Sequence, residues 1–161
     1  QEKIRGAKPH VGYQMLCHLA EADLARAVWS PNFDNLSARA AANYQLTAFE
    51  VGIDNQQRLG HQRSNGELMC VSMHGDYRYD ELKNTPKELQ AQEAALRTAF
   101  IDEMKDTSLI VCGYSGRDQS LMDAFKSAYS QPGNGVLYWC GYSAGDVPDE
   151  SVDVEKPSRD H

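Results

Sequence analysis

Three short polar clusters carry the residue types that could act on a ligand. Asn32 and Asp34 supply an amide and a carboxylate, and His74 supplies an imidazole. Gly113 and Ser115 belong to a glycine-containing turn. A neutral imidazole near pH 7 can accept a hydroxyl proton, and an amide or a carboxylate can orient a sugar or a water. A glycine turn between a strand and a helix is typical of a pocket for a phosphate-bearing ligand.

Each cluster also has a purely structural interpretation. A histidine at a strand end commonly makes structural hydrogen bonds, Asn-Phe-Asp before a helix can be a cap, and Gly-Tyr-Ser-Gly can be an ordinary turn. Their joint placement favours a site, because each cluster follows a predicted strand. In open α/β sheets, ligands bind beyond the carboxyl ends of the strands. We therefore predict that the three clusters meet at one edge of a sheet.

The pattern of apolar residues predicts strands that alternate with helices. We expect strands at 26–30, 46–51, 67–75, 108–112 and 136–142. We expect helices at 10–24, from Asp34 or Asn35 onward through Leu36 to Ala41, from Thr85 to about 105, and at 118–129, with a loop at 52–66. Such alternation is typical of a largely parallel sheet covered on both faces. The predicted fold class is α/β, in three layers.

The overall composition restricts the partners. The chain has 161 residues and a net charge of −7. An acidic chain is a poor match to nucleic acid or an anionic membrane, both of which favour clustered Lys and Arg. No apolar run is long enough to span a bilayer, and no signal-peptide pattern opens the sequence. These features predict a cytoplasmic protein that contacts neither nucleic acid nor membrane directly.

The spacing of the cysteines predicts reduced thiols and no structural zinc site. They are widely separated: Cys17, Cys70, Cys112 and Cys140. None forms a CxxC pair, so we expect no structural zinc. All four fall in strand-like or helix-like runs, and we interpret them as buried, reduced thiols. Trp29 and Trp139 lie in predicted strands and are interpreted as core residues.

The order of the motifs resembles the sirtuin family. "SPNFD" at 30–34, "HG" at 74–75 and "GYS" at 113–115 follow the order of the family's TQNID, HG and GTS motifs, which line an NAD pocket. Four longer segments are similar to bacterial sirtuin-like domains associated with antiphage defence: "VWSPNFDNL", "SMHGD", "NTPKEL" and "IVCGYSGRDQSLMDAF". The resemblance covers roughly residues 9 to 142. It implies a Rossmann-like sandwich that binds NAD.

The resemblance also assigns roles to individual residues. It implies that Asn32 and Asp34 contact the nicotinamide-side ribose and its surroundings. His74 matches the family's catalytic histidine, which acts as a base towards a ribose hydroxyl. Gly113 and Ser115 match the turn that contacts the ribose–phosphate portion of NAD. The implied catalytic residues are His74 and Asn32, acting while the breaking nicotinamide–ribose bond builds oxocarbenium character on the sugar.

Three departures from the family pattern alter what the resemblance implies. The glycine-rich GAG motif that cradles the pyrophosphate has no counterpart in residues 1–8, so we expect its strand to be lacking. The zinc module with two CxxC pairs, which follows the catalytic histidine in protein-deacylating sirtuins, is absent from the sequence. This absence favours NAD hydrolysis over peptide deacylation. Pro31 replaces the glutamine of TQNID, so the contacts of that amide are not expected.

Several functions stay open at the level of the sequence. The favoured one is an NAD-hydrolysing effector (NADase) within a larger bacterial defence protein. The alternatives are a non-catalytic module that senses NAD or a related nucleotide and regulates an attached domain, a protein deacylase, and an interaction scaffold. We expect residues 1–145 to form the partial sirtuin-like domain and residues 146–161 to form an acidic linker or tail. A homo-oligomer is left open.

Overall fold

The computed structural model describes residues 7–32, 34–53, 55–73 and 86–141; for residues 86–89 it describes the backbone only. The helices are α1 (Val11–Glu21), α2 (Leu36–Asn43), α3 (Pro86–Met104) and α4 (Gln119–Tyr129), and a 3-10 helix spans Gln56–Gly60. The strands are β1 (Ala27–Ser30), β2 (Thr47–Val51), β3 (Glu67–Ser72), β4 (Leu109–Val111) and β5 (Leu137–Trp139). The chain forms two compact units, Gln1–Glu103 and Met104–His161.

The first unit is built on a parallel three-stranded sheet. Its strand order is β1-β3-β2, so β3 lies in the centre and pairs on both edges. Ala27 to Ser30 lie opposite Met69 to Ser72, and Thr47 to Val51 lie opposite Glu67 to Val71. Successive side chains of a strand point to opposite faces, which explains why the apolar run of β3 must be covered on both sides.

Helices cover both faces of this sheet. On one face, buried residues of α1 and α2 pack with two residues of β3: Cys17, Ala20, Ala38, Ala40, Ala41, Leu68 and Cys70. On the other face, Val51 and Val71 pack with Leu96 of α3. The indole of Trp29 meets the ring of Phe100 edge-on, with 5.1 Å between ring centroids. A sheet between two helical layers confirms the predicted α/β fold class, a Rossmann-like sandwich.

The second unit contains a parallel pair of strands joined through a helix. Leu109 lies opposite Leu137 and Val111 lies opposite Trp139. The amphipathic helix α4 buries Leu121, Ala124, Phe125 and Ala128. The rings of Phe125 and Trp139 pack edge-on at 5.9 Å. This unit therefore repeats the strand–helix–strand pattern with a smaller sheet.

The described helices and strands agree with the predicted ones, with shorter ends. The predicted loop 52–66 contains the 3-10 helix, and His61 beyond it stacks on Phe49 with 4.0 Å between ring centroids. Thr85, the predicted start of the third helix, and the predicted tail 146–161 lie outside the described residues. None of the described helices combines the length and hydrophobicity needed to cross a membrane.

Two predictions about burial in the second unit are wrong. Cys17 and Cys70 are buried as expected, but Cys112 and Cys140 are exposed. Trp139, predicted to be a core residue, is 41% exposed. Among the described residues, β4 and β5 pair only with each other, so each lies at an edge of its sheet. By strand alternation the two cysteines lie on the face opposite α4, whereas Trp139 contacts Phe125 of α4 but has no further described strand beside it.

Candidate functional site

The carboxyl ends of β1 and β3 lie side by side in the first unit. Ser30 is directly opposite Ser72, and the backbone N–H of Met73 donates to the carbonyl oxygen of Ser30 at 2.9 Å. The chain therefore leaves both strands from the same point of the sheet edge. Asn32 follows Ser30 by two residues, and His74 follows Ser72 by two residues. His74 itself lies outside the described residues.

Asn32 presents its amide to solvent at this edge. Its backbone N–H donates to the Ser30 hydroxyl at 3.2 Å, which fixes the start of the turn directly after β1. The residue is exposed. Within the part of the chain that the structure describes, its side-chain amide makes no hydrogen bond. An exposed amide on a fixed turn can donate to and accept from a ligand without breaking an internal contact.

Asp34 is half-buried and takes part in the local fold. Its Oδ1 accepts a hydrogen bond from the backbone N–H of Leu36 at 3.1 Å, at the start of α2. The pKa of Tyr13, on α1, is raised mainly by burial and also by the charge of Asp34. The structural interpretation of this residue is thus confirmed: the carboxylate starts a helix and faces α1. Its position is fixed before any ligand arrives.

Asn35 is engaged elsewhere. It adopts a left-handed conformation with φ of 50° before α2, and its side chain makes no cap hydrogen bond. Instead, its Nδ2 donates to Glu50 Oε2 on β2 at 2.8 Å. Of the two residues that the sequence offers for the start of α2, Asp34 therefore carries the cap hydrogen bond. Asn35 links the turn to the far edge strand of the sheet.

The turn after β4 leaves its backbone accessible at Gly113. Gly113 and Gly116 have φ of 69° and 72°, a region that favours glycine. A side chain at Gly113 would meet no atom within 4 Å, so space is available beside the turn. Ser115 is exposed. The backbone of this turn can therefore be approached closely.

Tyr114 and Asp118 hold the turn against the start of α4. The backbone N–H of Asp118 donates to the Tyr114 hydroxyl at 3.1 Å. The Asp118 carboxylate accepts from the backbone N–H groups of Ser120 and Leu121, at 2.9 Å and 3.3 Å. These N–H groups are those that would otherwise attract an anion. An anionic ligand here would meet the glycine turn and the Ser115 hydroxyl, and not the end of the helix.

The structure thus places Asn32 and Asp34 at one edge in the first unit, and Gly113 and Ser115 in a turn of the second unit. The meeting of the three clusters stays a prediction.

Sequence reasoning missed the role of Tyr114 in fixing the turn. The sequence does carry a signal for it, because Asp118 follows four residues later and directly precedes a helix. Among the described residues, no three His, Cys, Asp or Glu side chains group as a metal site would require.

The fold and these polar turns define a ligand-binding α/β domain of the Rossmann-like class. A profile of the SIR2-like domain family matches residues 26–156. Because this match covers most of the chain, the chain belongs to the SIR2-like domain family, whose members bind NAD. All five residues of the candidate site lie within the matched range. The comparison with curated proteins finds no significant match.

Proposed function

We propose that this domain hydrolyses NAD to nicotinamide and ADP-ribose, as the effector of a bacterial antiphage-defence protein. Membership of the SIR2-like domain family supports NAD as the ligand. The observation that carries the proposal is the register of β1 and β3, in which Ser30 lies opposite Ser72. Because of this register, the segment that carries Asn32 and the segment that carries His74 leave the sheet at neighbouring positions.

In this proposal His74 is the base and Asn32 the orienting residue. A neutral imidazole accepts a proton from a ribose hydroxyl while the bond between ribose and nicotinamide breaks. The exposed amide of Asn32 orients the ribose or the attacking water. The half-buried carboxylate of Asp34 favours the positive charge that develops on the sugar. Water then adds to the anomeric carbon and releases a proton to solvent, and the imidazolium returns its proton to the ribose oxygen.

The Gly113–Ser115 turn would hold the ribose–phosphate portion of NAD. Its left-handed glycine, the open space beside it and the exposed Ser115 hydroxyl support this role. Asp118 already occupies the first N–H groups of α4. Ligand contacts would therefore be made by the Gly113 backbone and the Ser115 side chain.

The spacing after His74 supports hydrolysis over peptide deacylation. Only residues 75–85 separate His74 from the start of α3 at Pro86. This segment contains no cysteine, so it cannot supply the two CxxC pairs of a zinc module. We further propose that the domain acts in the cytoplasm, and that the acidic residues 146–161 link the domain of residues 1–145 to further domains of a parent chain.

The direct test is nicotinamide release from NAD by the intact parent protein, with its activating trigger supplied. His74→Ala should lower the rate by at least about 100-fold, the scale of general-base catalysis, while the fold and NAD binding persist. Asn32→Ala should also reduce turnover, because the orienting amide is lost. His10→Ala is the matched control, since His10 is exposed and its side chain makes no cap hydrogen bond.

The outcomes separate the candidate functions. Equal rates for wild type and folded His74→Ala would exclude the role assigned to His74. Calorimetric NAD binding by an activated wild type that releases no nicotinamide would support the sensing module instead. Nicotinamide release that depends on an acylated peptide would indicate a deacylase.

A further inference from the structure

The strand register of the second unit brings two cysteines together. Val111 lies opposite Trp139, and Cys112 and Cys140 each follow by one residue. The backbone N–H of Cys140 donates to the Val111 carbonyl at 2.9 Å, so the parallel pairing continues to this point. Neighbouring strands lie about 4.8 Å apart. This spacing is within the Cα separation of about 4.4–6.8 Å that a disulfide requires.

The two side chains are close enough to influence each other. The neighbouring Cys140 side chain, more than burial, raises the pKa of the Cys112 thiol. Facing sulfurs on adjacent strands need little backbone movement to join.

Both thiols are also accessible. Cys112 and Cys140 are free and exposed. They continue the sheet face of Ile110 and Tyr138, which are exposed as well. Exposure distinguishes this pair from the cysteines of the first unit. There, Cys17 and Cys70 share one core cluster but are 1% and 3% exposed.

We propose that Cys112 and Cys140 form a dithiol modification site that peroxides convert to an intramolecular disulfide. The thiolate of one cysteine attacks one peroxide oxygen, breaks the O–O bond and becomes a sulfenic acid, releasing the first water. The sulfur of the other cysteine then attacks the sulfenic acid sulfur and displaces the second water. Two thiols lose two electrons and two protons, and one hydrogen peroxide becomes two waters. The new bond ties the ends of β4 and β5 together, one residue before Gly113.

The test treats the reduced, folded protein with hydrogen peroxide, blocks remaining thiols with an alkylating agent and maps the peptides by mass spectrometry. The expected product is a cross-linked peptide pair containing Cys112 and Cys140, with a mass loss of about 2 Da for two hydrogens. Dithiothreitol should reverse the change. Cys17 and Cys70 should stay reduced, because the oxidant cannot reach the core.

Single variants trap the intermediate. In Cys112→Ser and in Cys140→Ser the remaining thiol should accumulate a sulfenic acid that dimedone traps, because the second thiol that would displace water is gone. The proposal is overturned if wild-type Cys112 and Cys140 stay reduced, over-oxidise without linking, or pair only with another chain. The wild-type peptide map decides this result even if a variant does not fold.

Discussion

The two parallel sheets of this protein differ in how many of their faces are covered. In the first unit helices lie on both faces, and Leu68 in the central strand is 0% exposed. In the second unit α4 lies on the face of Val111 and Trp139. On the other face, Ile110 and Tyr138 lie opposite each other and are 64% and 55% exposed.

The strand sequences do not reveal this difference. β3 contains the run Leu-Met-Cys-Val and β4 leads into Leu-Ile-Val-Cys, and both runs predict a strand buried on both faces. What differs is the packing supplied by elements distant in sequence. The comparison teaches that an apolar run predicts the strand, whereas the number of helical layers decides which of its side chains are accessible. The thiols differ in the same way: Cys70 in the first sheet is buried, whereas Cys112 and Cys140 in the second unit are exposed.

The largest expected effect is on thiol reactivity. In the folded, reduced protein, iodoacetamide should alkylate Cys140 at least about 100-fold faster than Cys70, because a buried thiol reacts only after local opening, which costs about 3 kcal/mol or more in a core strand. Quenched time points read by peptide mass spectrometry give both rates. In concentrated urea the difference should disappear. Equal alkylation rates in the folded protein would show that the reagent reaches the Cys70 thiol in the first sheet without local opening.

A pair of truncations tests the same comparison through stability. Leu68→Ala should lower the free energy of unfolding by about 2–5 kcal/mol, because it leaves a cavity between sheet and helices. Ile110→Ala should cost less than about 0.5 kcal/mol, because its side chain is exposed. Urea titration measures both. A cost at Ile110 comparable to that at Leu68 would mean that something covers the second face in solution.

Much of the fold follows from local sequence pattern. The Asp118 cap fixes the start of α4, and the apolar runs ending at Ser72 and Val111 locate two strands. The register, by contrast, depends on which strands pair, and no single strand encodes it. The sequence therefore predicted the strand carrying Trp139 but placed that indole wrongly in the core.

The candidate site was predictable to a similar degree. Asn32 stands out from the sequence because a polar turn after a strand is a local signal, and its exposure agrees with a binding role. The cap bond of Asp34 was among the structural alternatives that the sequence offered. The closeness of Asp34 to Tyr13 was not predictable, because it depends on how α1 packs on the sheet. Long-range packing, and not residue type, limits sequence reasoning here.

The pH dependence of the unfolding free energy tests the burial of the Cys70 thiol in the first sheet. Burial raises the pKa of this thiol from 9.0 to about 11. The folded state therefore holds the proton more tightly than the unfolded state, and the resulting stabilisation is complete below pH 9 and lost as the pH rises through about 11. The free energy of unfolding should fall by about 2–3 kcal/mol from this group over that window. Cys70→Ala should show a smaller fall, and an identical fall would refute the burial argument.

The smallest expected effects compare the helix starts of the two units. The Asp118 carboxylate accepts hydrogen bonds from Ser120 N–H, Leu121 N–H and the Ser120 hydroxyl. Among the described residues, Asp34 accepts one, from the Leu36 N–H. Asp118→Ala should therefore cost about 1–2 kcal/mol of unfolding free energy, and Asp34→Ala about 0.5–1 kcal/mol. Thermal and urea unfolding of the two variants give the comparison.

Asp34→Asn separates the charge of this residue from its cap. The amide oxygen can still accept from the Leu36 N–H, so stability should change little. The negative charge is gone, so the pKa of Tyr13 should fall from its raised value while the contribution of burial remains. An ultraviolet titration of the tyrosines, with Tyr13→Phe to assign the signal, measures this shift. If Tyr13 titrates unchanged while nicotinamide release drops, the carboxylate acts on the ligand and not on α1.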